Sequence, residues 1–439
     1  MSALDYTLVL LVLVSHAIAV LPFLRALRHH IVPRTIDFAT ASFILYYDVD
    51  LALQSIGVAY ANQYFPSWFS TSEGMRVGTA ILLSLAPWLM RIGGLLAHQD
   101  RAPLEPRPLW FRPSRRAPFH FLAALAGTIL LLYGLISVGS QPLYAVRVSL
   151  AQAWGPLVIV FYLPTYLLAF YLAHKDARSH LGTVFAAYLV LAAAIATLPV
   201  GERTLLLLPI LMFVVLRLRP SPLRLLSVGM GIVVVAALML AVYKWQYAET
   251  NVGTPNLVVD TLSTDIARAP VLATALSMSD ALGTKIMPYP GAGYVYSALF
   301  LVPRGLAPWK GSSSASYFTA QLVGGQPESL GWGFGLGFVE EASTNFGLAA
   351  VPFVLLVAGA LAALSDRLSF RFPSLTAPTR FAALMMCGYD LPSLILLFGI
   401  MAIVGLLLST AFSTYRRPLS EPTKTNARRH VDSLQRPPA

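Results

Sequence analysis

Charge is scarce in this sequence. Only 12% of the 439 residues are Asp, Glu, Lys or Arg, whereas 56% are hydrophobic. Soluble globular proteins carry about 25% charged residues, so this composition and a mean hydropathy of +0.67 do not suit a water-facing surface. The composition excludes an ordinary soluble protein and indicates a protein of the membrane.

Cysteine is nearly absent, and histidine is missing from the segment where it would matter most. The single cysteine, Cys387, excludes an intramolecular disulfide and a cysteine-based metal cluster. Residues 244–345, which are predicted to form one long loop, contain neither Cys nor His. We therefore expect no zinc site and no histidine base in this loop, and no metal or other cofactor.

Long apolar runs, in contrast, recur along the chain. A helix needs about 20 apolar residues to cross a hydrocarbon core about 30 Å thick. The runs predict an all-α, polytopic membrane protein with about eleven transmembrane helices. These spans lie near 5–24, 37–61, 76–97, 117–138, 153–173, 181–200, 204–217, 225–243, 346–364, 377–389 and 391–412. The chain then divides into eight spans within 1–243, a loop at 244–345, three spans within 346–412 and a disordered tail at 413–439.

The distribution of basic residues predicts the orientation of the chain. Short cytoplasmic loops collect Lys and Arg, and basic clusters follow alternate predicted spans and fill the C-terminal tail. This pattern places the tail in the cytoplasm and the 244–345 loop on the outer side of the membrane. The net charge of +11 is then a topology signal. It does not indicate a nucleic-acid partner, because no soluble basic domain is apparent.

The long outer loop is the most distinctive predicted segment. Loops of more than about 15 residues are uncommon unless they have a function, and this one extends from 244 to 345. Its frequent Gly and Pro residues argue against further spans. Its short apolar stretches predict short helices that lie along the membrane surface.

Three arginines on this outer side are candidates for binding an anion. Arg203 lies in a polar turn between two apolar runs, Arg268 follows Asp265 by three residues, and Arg304 lies in a turn of Pro and Gly. A guanidinium stays charged and binds phosphate oxygens in a bidentate manner. The competing interpretations are an arginine that reaches to the lipid headgroups, an ordinary ion pair on a helix and a solvated loop charge.

A glycine-rich run from 331 to 337 leads into two adjacent glutamates, Glu340 and Glu341, just before an apolar helix. A carboxylate at a membrane boundary is costly unless it has a partner or a function. Either glutamate is a candidate general base. Glu341 is favoured because it shares a helix face with Asn345, four residues later. The competing interpretation is an ordinary acidic charge at the start of a helix.

Two further acids favour a different class of function. Asp48 and Asp50 fall in the middle of the second predicted span, and an ionisable group inside a membrane is functional by default. They predict a proton path in a membrane transporter or flippase. A buried pairing with a Tyr or an Arg would instead make them structural.

Taken together, these motifs resemble the bacterial oligosaccharide repeat-unit polymerases, the O-antigen polymerase or Wzy-type family. The resemblance covers about residues 180–390. It rests on the outer turn Gly201-Glu202-Arg203, on the large loop with Arg268 and Arg304, and on the glycine-rich run that ends in Glu340-Glu341 and Asn345-Phe346-Gly347.

The resemblance implies glycosyl transfer between lipid-linked oligosaccharides outside the membrane, in a glycosyltransferase C-like arrangement of helices. Arg203, Arg268 and Arg304 would hold the departing diphosphate, and Glu340 or Glu341 would deprotonate the acceptor hydroxyl without a metal. The implied partners are polyprenyl-diphosphate-linked oligosaccharides, the lipid bilayer and a chain-length regulator, and the implied location is the bacterial cytoplasmic (inner) membrane. An O-antigen ligase-like transferase is the nearest alternative, although that family carries an outer-loop histidine.

Overall fold

The structure is a computed structural model that describes part of the chain. The described residues are 2–29, 33–57, 65, 67–97, 268–281, 286–299, 302, 306–327, 334–371, 375–391 and 393–395, with isolated positions at 125, 128–129, 132, 398–399 and 402–403. Every secondary-structure element in these ranges is helical, and they contain no strand. The predicted all-α class is therefore confirmed. The predicted spans between 117 and 243 and the tail lie almost entirely outside the described residues, so the number of spans stays a prediction.

Four helices form the N-terminal part. Helix α1, Ala3–Arg28, begins at a capping box in which Ser2 and Asp5 satisfy each other's backbone N–H groups. Helix α2, Thr35–Phe43, continues through a π-helical turn, Ile44–Asp48, into α3, Val49–Ser55. A short 3-10 turn at Trp68–Ser70 leads into α4, Glu73–Leu96, whose first turn is capped by Ser72.

The second predicted span ends earlier than the sequence suggested. The prediction was 37–61, but α3 stops at Ser55, and Gly57 follows with a φ of +84°. A left-handed glycine is the usual end of a helix, because it lacks the Cβ that disfavours this conformation. Asp50 therefore lies in the last two turns of the helix, and the expectation that it sits at mid-span was wrong.

Short helices do occur in the predicted outer loop. They are α5, Ala269–Ala281; α6, Ala292–Ala298; α7, Ser314–Val323; and α8, Phe338–Phe346. Helix α8 packs against the other three, and α5 also packs against α4. After a 3-10 turn at Leu348–Ala350, the chain continues as α9, Val351–Arg371, and α10, Thr376–Met385.

Three described helices are long and apolar enough to cross a membrane. They are Ala3–Arg28, Glu73–Leu96 and Leu348–Ser369, and they coincide with the first, third and ninth predicted spans. Their length and composition support the prediction of a membrane protein.

Two of these helices, α4 and α9, approach each other closely through glycines. A Cβ added at Gly93 would overlap the backbone carbonyl of Leu356, and one added at Gly359 would overlap the carbonyl of Met90. Small residues permit such close backbone approach between membrane helices, where van der Waals packing drives association. The two glycines therefore fix the α4–α9 contact from both sides.

Helices α2 and α10 run side by side in the same direction. Hydrogen bonds join them to their neighbours at both ends of the helical bundle. At one end, the Asp366 carboxylate accepts hydrogen bonds from Thr35 N at 3.0 Å and from Arg380 Nη2 at 3.2 Å. At the other, Cys387 N donates to Ser42 Oγ at 3.2 Å, and Tyr46 lies against Gly388. Tyr47 follows Thr35 by twelve positions along this helical segment, which at the rise of an α-helix corresponds to about 18 Å along the axis.

Candidate functional site

The candidate site lies around Tyr47, in the π-helical turn that follows α2. There Arg268 joins two loops. The backbone N–H of Arg268 donates to Tyr46 O at 3.3 Å. Its guanidinium donates to the carbonyl oxygen of Gly335 and, at 2.7 Å, to that of Gly388. Arg268 thus connects the glycine-rich run before α8 with the turn after α10.

The positive charge of Arg268 is not neutralised by direct pairing within the described part of the chain. Its two carbonyl partners are neutral and occupy only two of the five N–H groups of a guanidinium. No described carboxylate lies within ion-pair distance of it. The side chain is only partly buried. The predicted anion-binding arginine is close enough to one predicted glutamate, Glu340, for its charge to act on that carboxylate, and it also has a structural role.

Glu340 is completely buried and has one strong partner. Its Oε1 accepts a hydrogen bond of 2.9 Å from the Tyr47 hydroxyl, whereas no described donor reaches Oε2. A Cβ at Gly337 would come within 2.5 Å of that oxygen, so the glycine makes room for the carboxylate. Burial raises the pKa of Glu340, and the nearby charge of Arg268 opposes the rise.

Glu341 is equally buried, but both of its oxygens have donors. Oε1 accepts from Ser314 Oγ at 3.0 Å, and Oε2 accepts from the backbone N–H of Leu391 at 2.6 Å. Burial raises the pKa of Glu341 to about 8, and the negative charge of Asp390 acts in the same direction. The two hydrogen bonds lower this pKa, because they favour the ionised carboxylate.

The simpler interpretation of Glu341, an acidic charge at the start of a helix, does not account for all of its contacts. The residue does lie in the first turn of α8, where a negative charge is favourable. Its carboxylate, however, bonds across to α7 and to the chain after α10. Glu341 therefore connects three separate segments, which a helix-start charge alone would not require.

Asn345 shares a helix face with Glu341, but its side chain does not bond the carboxylate directly. Its Nδ2 donates to the backbone carbonyl of Glu341 at 2.8 Å and to Ser314 Oγ at 3.2 Å. Its Oδ1 accepts from Gly293 N at 2.7 Å. Asn345 therefore reaches the Glu341 carboxylate only through Ser314.

The other two predicted anion-binding residues, Arg203 and Arg304, lie outside the described residues. Near the second of them, Lys310 Nζ donates to the carbonyl of Val302 at 3.0 Å. This bond joins two residues that lie on either side of Arg304 in the sequence. The roles of Arg203 and Arg304 stay predictions.

The acids that suggested a transporter have structural partners. Asp48 Oδ1 lies 2.6 Å from His16 Nδ1, and His16 Nε2 lies 2.8 Å from Leu83 O. Asp50 accepts from Ala269 N at 3.1 Å and from Gln54 Nε2 at 2.8 Å. Asp48, at the end of the π-helical turn, is thus linked through His16 to α1 and α4, and Asp50 holds the first residue of α5.

Three side chains of the cluster were not selected from the sequence. The sequence marks Tyr47 only by its position next to Asp48. Asp390 lies in a short turn between two apolar runs, and the criterion that selected the glutamates, an acid at a membrane boundary, would have found it. Ser314 is one of four serines within 312–316, and nothing in the sequence distinguishes it from the others.

Within the described residues, no group of three or more His, Cys, Asp or Glu side chains is arranged to hold a metal ion. Comparison of the chain with known protein families, with curated proteins and with solved structures found no match.

Proposed function

We propose that this chain is a metal-independent glycosyltransferase that polymerises polyprenyl-diphosphate-linked oligosaccharide repeat units at the outer face of the bacterial cytoplasmic membrane. The observation that carries the proposal is the position of Arg268. Its guanidinium bonds the carbonyls of Gly335 and Gly388, 67 and 120 residues away in the chain, and its charge acts on the buried Glu340, the neighbour of Glu341 on α8. A fixed cation next to carboxylates suits the departure of an anion coupled to a proton transfer.

The proposed reaction is a single substitution at the anomeric carbon of the donor glycan. The acceptor hydroxyl oxygen forms the new bond to this carbon. The bond from the carbon to the lipid diphosphate breaks, and its electron pair leaves with the diphosphate. Arg268, together with Arg203 and Arg304, stabilises the charge that develops on the leaving group. The hydroxyl proton passes to Glu341 as general base.

Glu341 suits the role of base better than Glu340 does. A pKa of about 8 lies close to neutral pH, which is where a general base is most efficient. Glu340 accepts a hydrogen bond from Tyr47, and its carboxylate stabilises the positive charge of Arg268. Because Glu341 is buried in the free chain, the proposal requires that substrate binding give the acceptor hydroxyl access to one of its oxygens.

Two alternatives remain to be separated from this function by experiment. A transporter or flippase is less favoured, because Asp48 and Asp50 already have partners that account for their burial. A ligase-like transferase would use the same leaving group, but the 244–345 segment contains no histidine. A lipid-linked glycan and the bilayer are the proposed partners, and a chain-length regulator is a further one.

The decisive experiment uses the purified full chain in lipid and a lipid-linked repeat unit as the only glycan. A polymerase converts this substrate into a ladder of longer lipid-linked products, and Glu341→Gln removes the ladder. A ligase-like enzyme transfers the glycan only after a different acceptor is added. Movement of intact substrate across the vesicle membrane without new glycosidic bonds would contradict the proposal and support the transporter.

A further inference from the structure

Asn345 has only one orientation that satisfies its neighbours. Gly293 supplies an N–H, so the atom 2.7 Å away must be the amide oxygen of Asn345. The backbone carbonyl of Glu341 can only accept, so the atom 2.8 Å from it must be the amide nitrogen. The same nitrogen lies 3.2 Å from Ser314 Oγ. Asn345 therefore donates to the serine, because an amide nitrogen has two protons and no acceptor capacity.

This orientation determines where the Ser314 proton points. A hydroxyl has one proton, and the Asn345 amide already fills an acceptor position on the oxygen. The remaining neighbour is Glu341 Oε1 at 3.0 Å, which accepts. The result is a directed chain of hydrogen bonds that runs from Gly293 N–H through Asn345 and Ser314 to the Glu341 carboxylate.

The packing around this chain leaves little freedom for rearrangement. Ser314 and Asn345 are fully buried. A Cβ at Gly293 would overlap Ser314 Oγ and lie 2.7 Å from the Asn345 amide atoms. The backbone of α6 is therefore in direct contact with the two side chains, and it holds the Ser314 hydroxyl against Glu341.

Other groups that face Glu341 come from each element packed around it. From α6, the Tyr294 hydroxyl is buried without a described hydrogen-bond partner. Burial raises the Tyr294 pKa, and the negative charge of Glu341 acts in the same direction. From the turn after α10, Asp390 contributes a second carboxylate. On α8 itself, Glu340 is the adjacent acid, and Arg268 precedes α5.

We propose that Ser314 is a positioning residue, which Asn345 orients so that its hydroxyl holds Glu341 in the ionised form against the opposing charge of Asp390. Its part in glycosyl transfer rests on the proposed function, whereas its effect on Glu341 can be measured without any substrate. Loss of the Ser314 hydroxyl and loss of the Asp390 charge should then shift the pKa of Glu341 in opposite directions.

The test is an infrared pH titration of the full chain in lipid nanodiscs. The signal of Glu341 is the protonated-carboxyl band that disappears in Glu341→Gln, and its midpoint in the wild type is expected near pH 8. In Ser314→Ala the carboxylate loses a donor, so the midpoint should rise by about 1–2 pH units. In Asp390→Asn a like charge is lost, so the midpoint should fall.

Ser279→Ala is the matched control, because it also removes a buried hydroxyl that touches α8. Ser279 Oγ donates to the backbone carbonyl of Ala275 at 2.8 Å and lies 3.1 Å from that of Ser343 on α8. Its described acceptors include no carboxylate, so the midpoint should stay unchanged. If Ser314→Ala fails to fold, Ser314→Cys keeps a similar shape with a weaker donor and should raise the midpoint by a smaller amount. An unchanged midpoint in a folded Ser314 variant would overturn the proposal.

The two proposals can fail separately. If the midpoints move as expected but the purified chain produces no ladder, the polymerase function is wrong and the role of Ser314 stands. If the ladder forms but the Ser314 variants titrate like the wild type, the polymerase function stands and the role of Ser314 is wrong. In an active enzyme, the acidic limb of the pH–rate profile should follow the same shifts as the titration.

Discussion

The Tyr47 hydroxyl donates a hydrogen bond of 2.9 Å to Glu340 Oε1, which joins the second helical segment of the chain to α8 across 293 residues. Both side chains are fully buried. This bond is the only hydrogen bond to the Glu340 carboxylate from a described side chain. It therefore connects the stability of the bundle directly to the candidate site.

Tyr47→Phe should destabilise the chain by about 1–3 kcal/mol, because it leaves a buried carboxylate without its donor. The measurement is the thermal unfolding midpoint of the purified protein in lipid. Tyr6→Phe is the control, since Tyr6 is an exposed tyrosine on α1 and its hydroxyl should contribute little. Equal midpoints for the Tyr47 variant and the wild type would show that Glu340 is satisfied in another way.

Protein stability should depend on pH through Glu341. Its pKa is raised from 4.5 to about 8 in the folded chain, so between these values the folded state binds more protons than the unfolded state. The stability that Glu341 contributes to the folded state by binding a proton is fully present below pH 4.5 and is lost as the pH rises through about 8. The melting temperature should fall over this range in the wild type and fall less in Glu341→Gln.

Glu73→Gln provides the comparison for this pH experiment, because Glu73 is an exposed acid at the start of α4. Its pH profile should follow that of the wild type. If Glu341→Gln retained the full wild-type slope, the pH dependence would have to come from another buried acid.

The contact between α4 and α9 should be sensitive to a single added methyl group. Gly93→Ala and Gly359→Ala each place a Cβ against a backbone carbonyl, and overpacking of this kind costs about 1–3 kcal/mol. Gly78→Ala lies in the same helix as Gly93, with no atom within 4 Å of the added Cβ. It should be neutral or stabilising by up to about 1 kcal/mol, because Ala favours a helix. A Gly93 variant as stable as the Gly78 variant would contradict the close contact.

Arg268→Lys should abolish most polymer formation while the positive charge is kept. A lysine ammonium lacks the planar fork that spans the carbonyls of Gly335 and Gly388. Product ladders are compared at equal amounts of folded protein, with the exposed Arg25→Lys as the matched control. We expect large losses also in Arg203→Lys and Arg304→Ala. Wild-type yield in all three variants would leave these arginines with structural roles only.

The orientation of the chain can be tested with topology reporters. Fusions after Arg116 or in the C-terminal tail should report the cytoplasm, and a fusion near Gly325, in the segment between α7 and α8, should report the outside. A cytoplasmic signal near Gly325 would exclude the proposed reaction, since the cluster would then face the wrong side of the membrane.

The sequence by itself indicated the membrane character and the all-helical class, and it selected Arg268, Glu340 and Glu341 as candidate site residues. These properties are local. A long apolar run must be a helix in lipid, because every backbone polar group needs an internal partner there. A charge within or beside such a run stands out, because its burial is costly without a partner. The helix bounds agreed with prediction to within about four residues in α1, α4 and α10, whereas the longest predicted span, 37–61, ends at Ser55.

Only the tertiary structure decided which partners these charges have. Glu341 is satisfied by Ser314, 27 residues away, and by Leu391, 50 residues away, and Asp48 is satisfied by His16. A buried charge needs a donor, but any of many polar groups can supply it, and the choice depends on which segments the fold brings within 3 Å of it. The sequence can show that a partner is required, whereas the packing of the helices selects it.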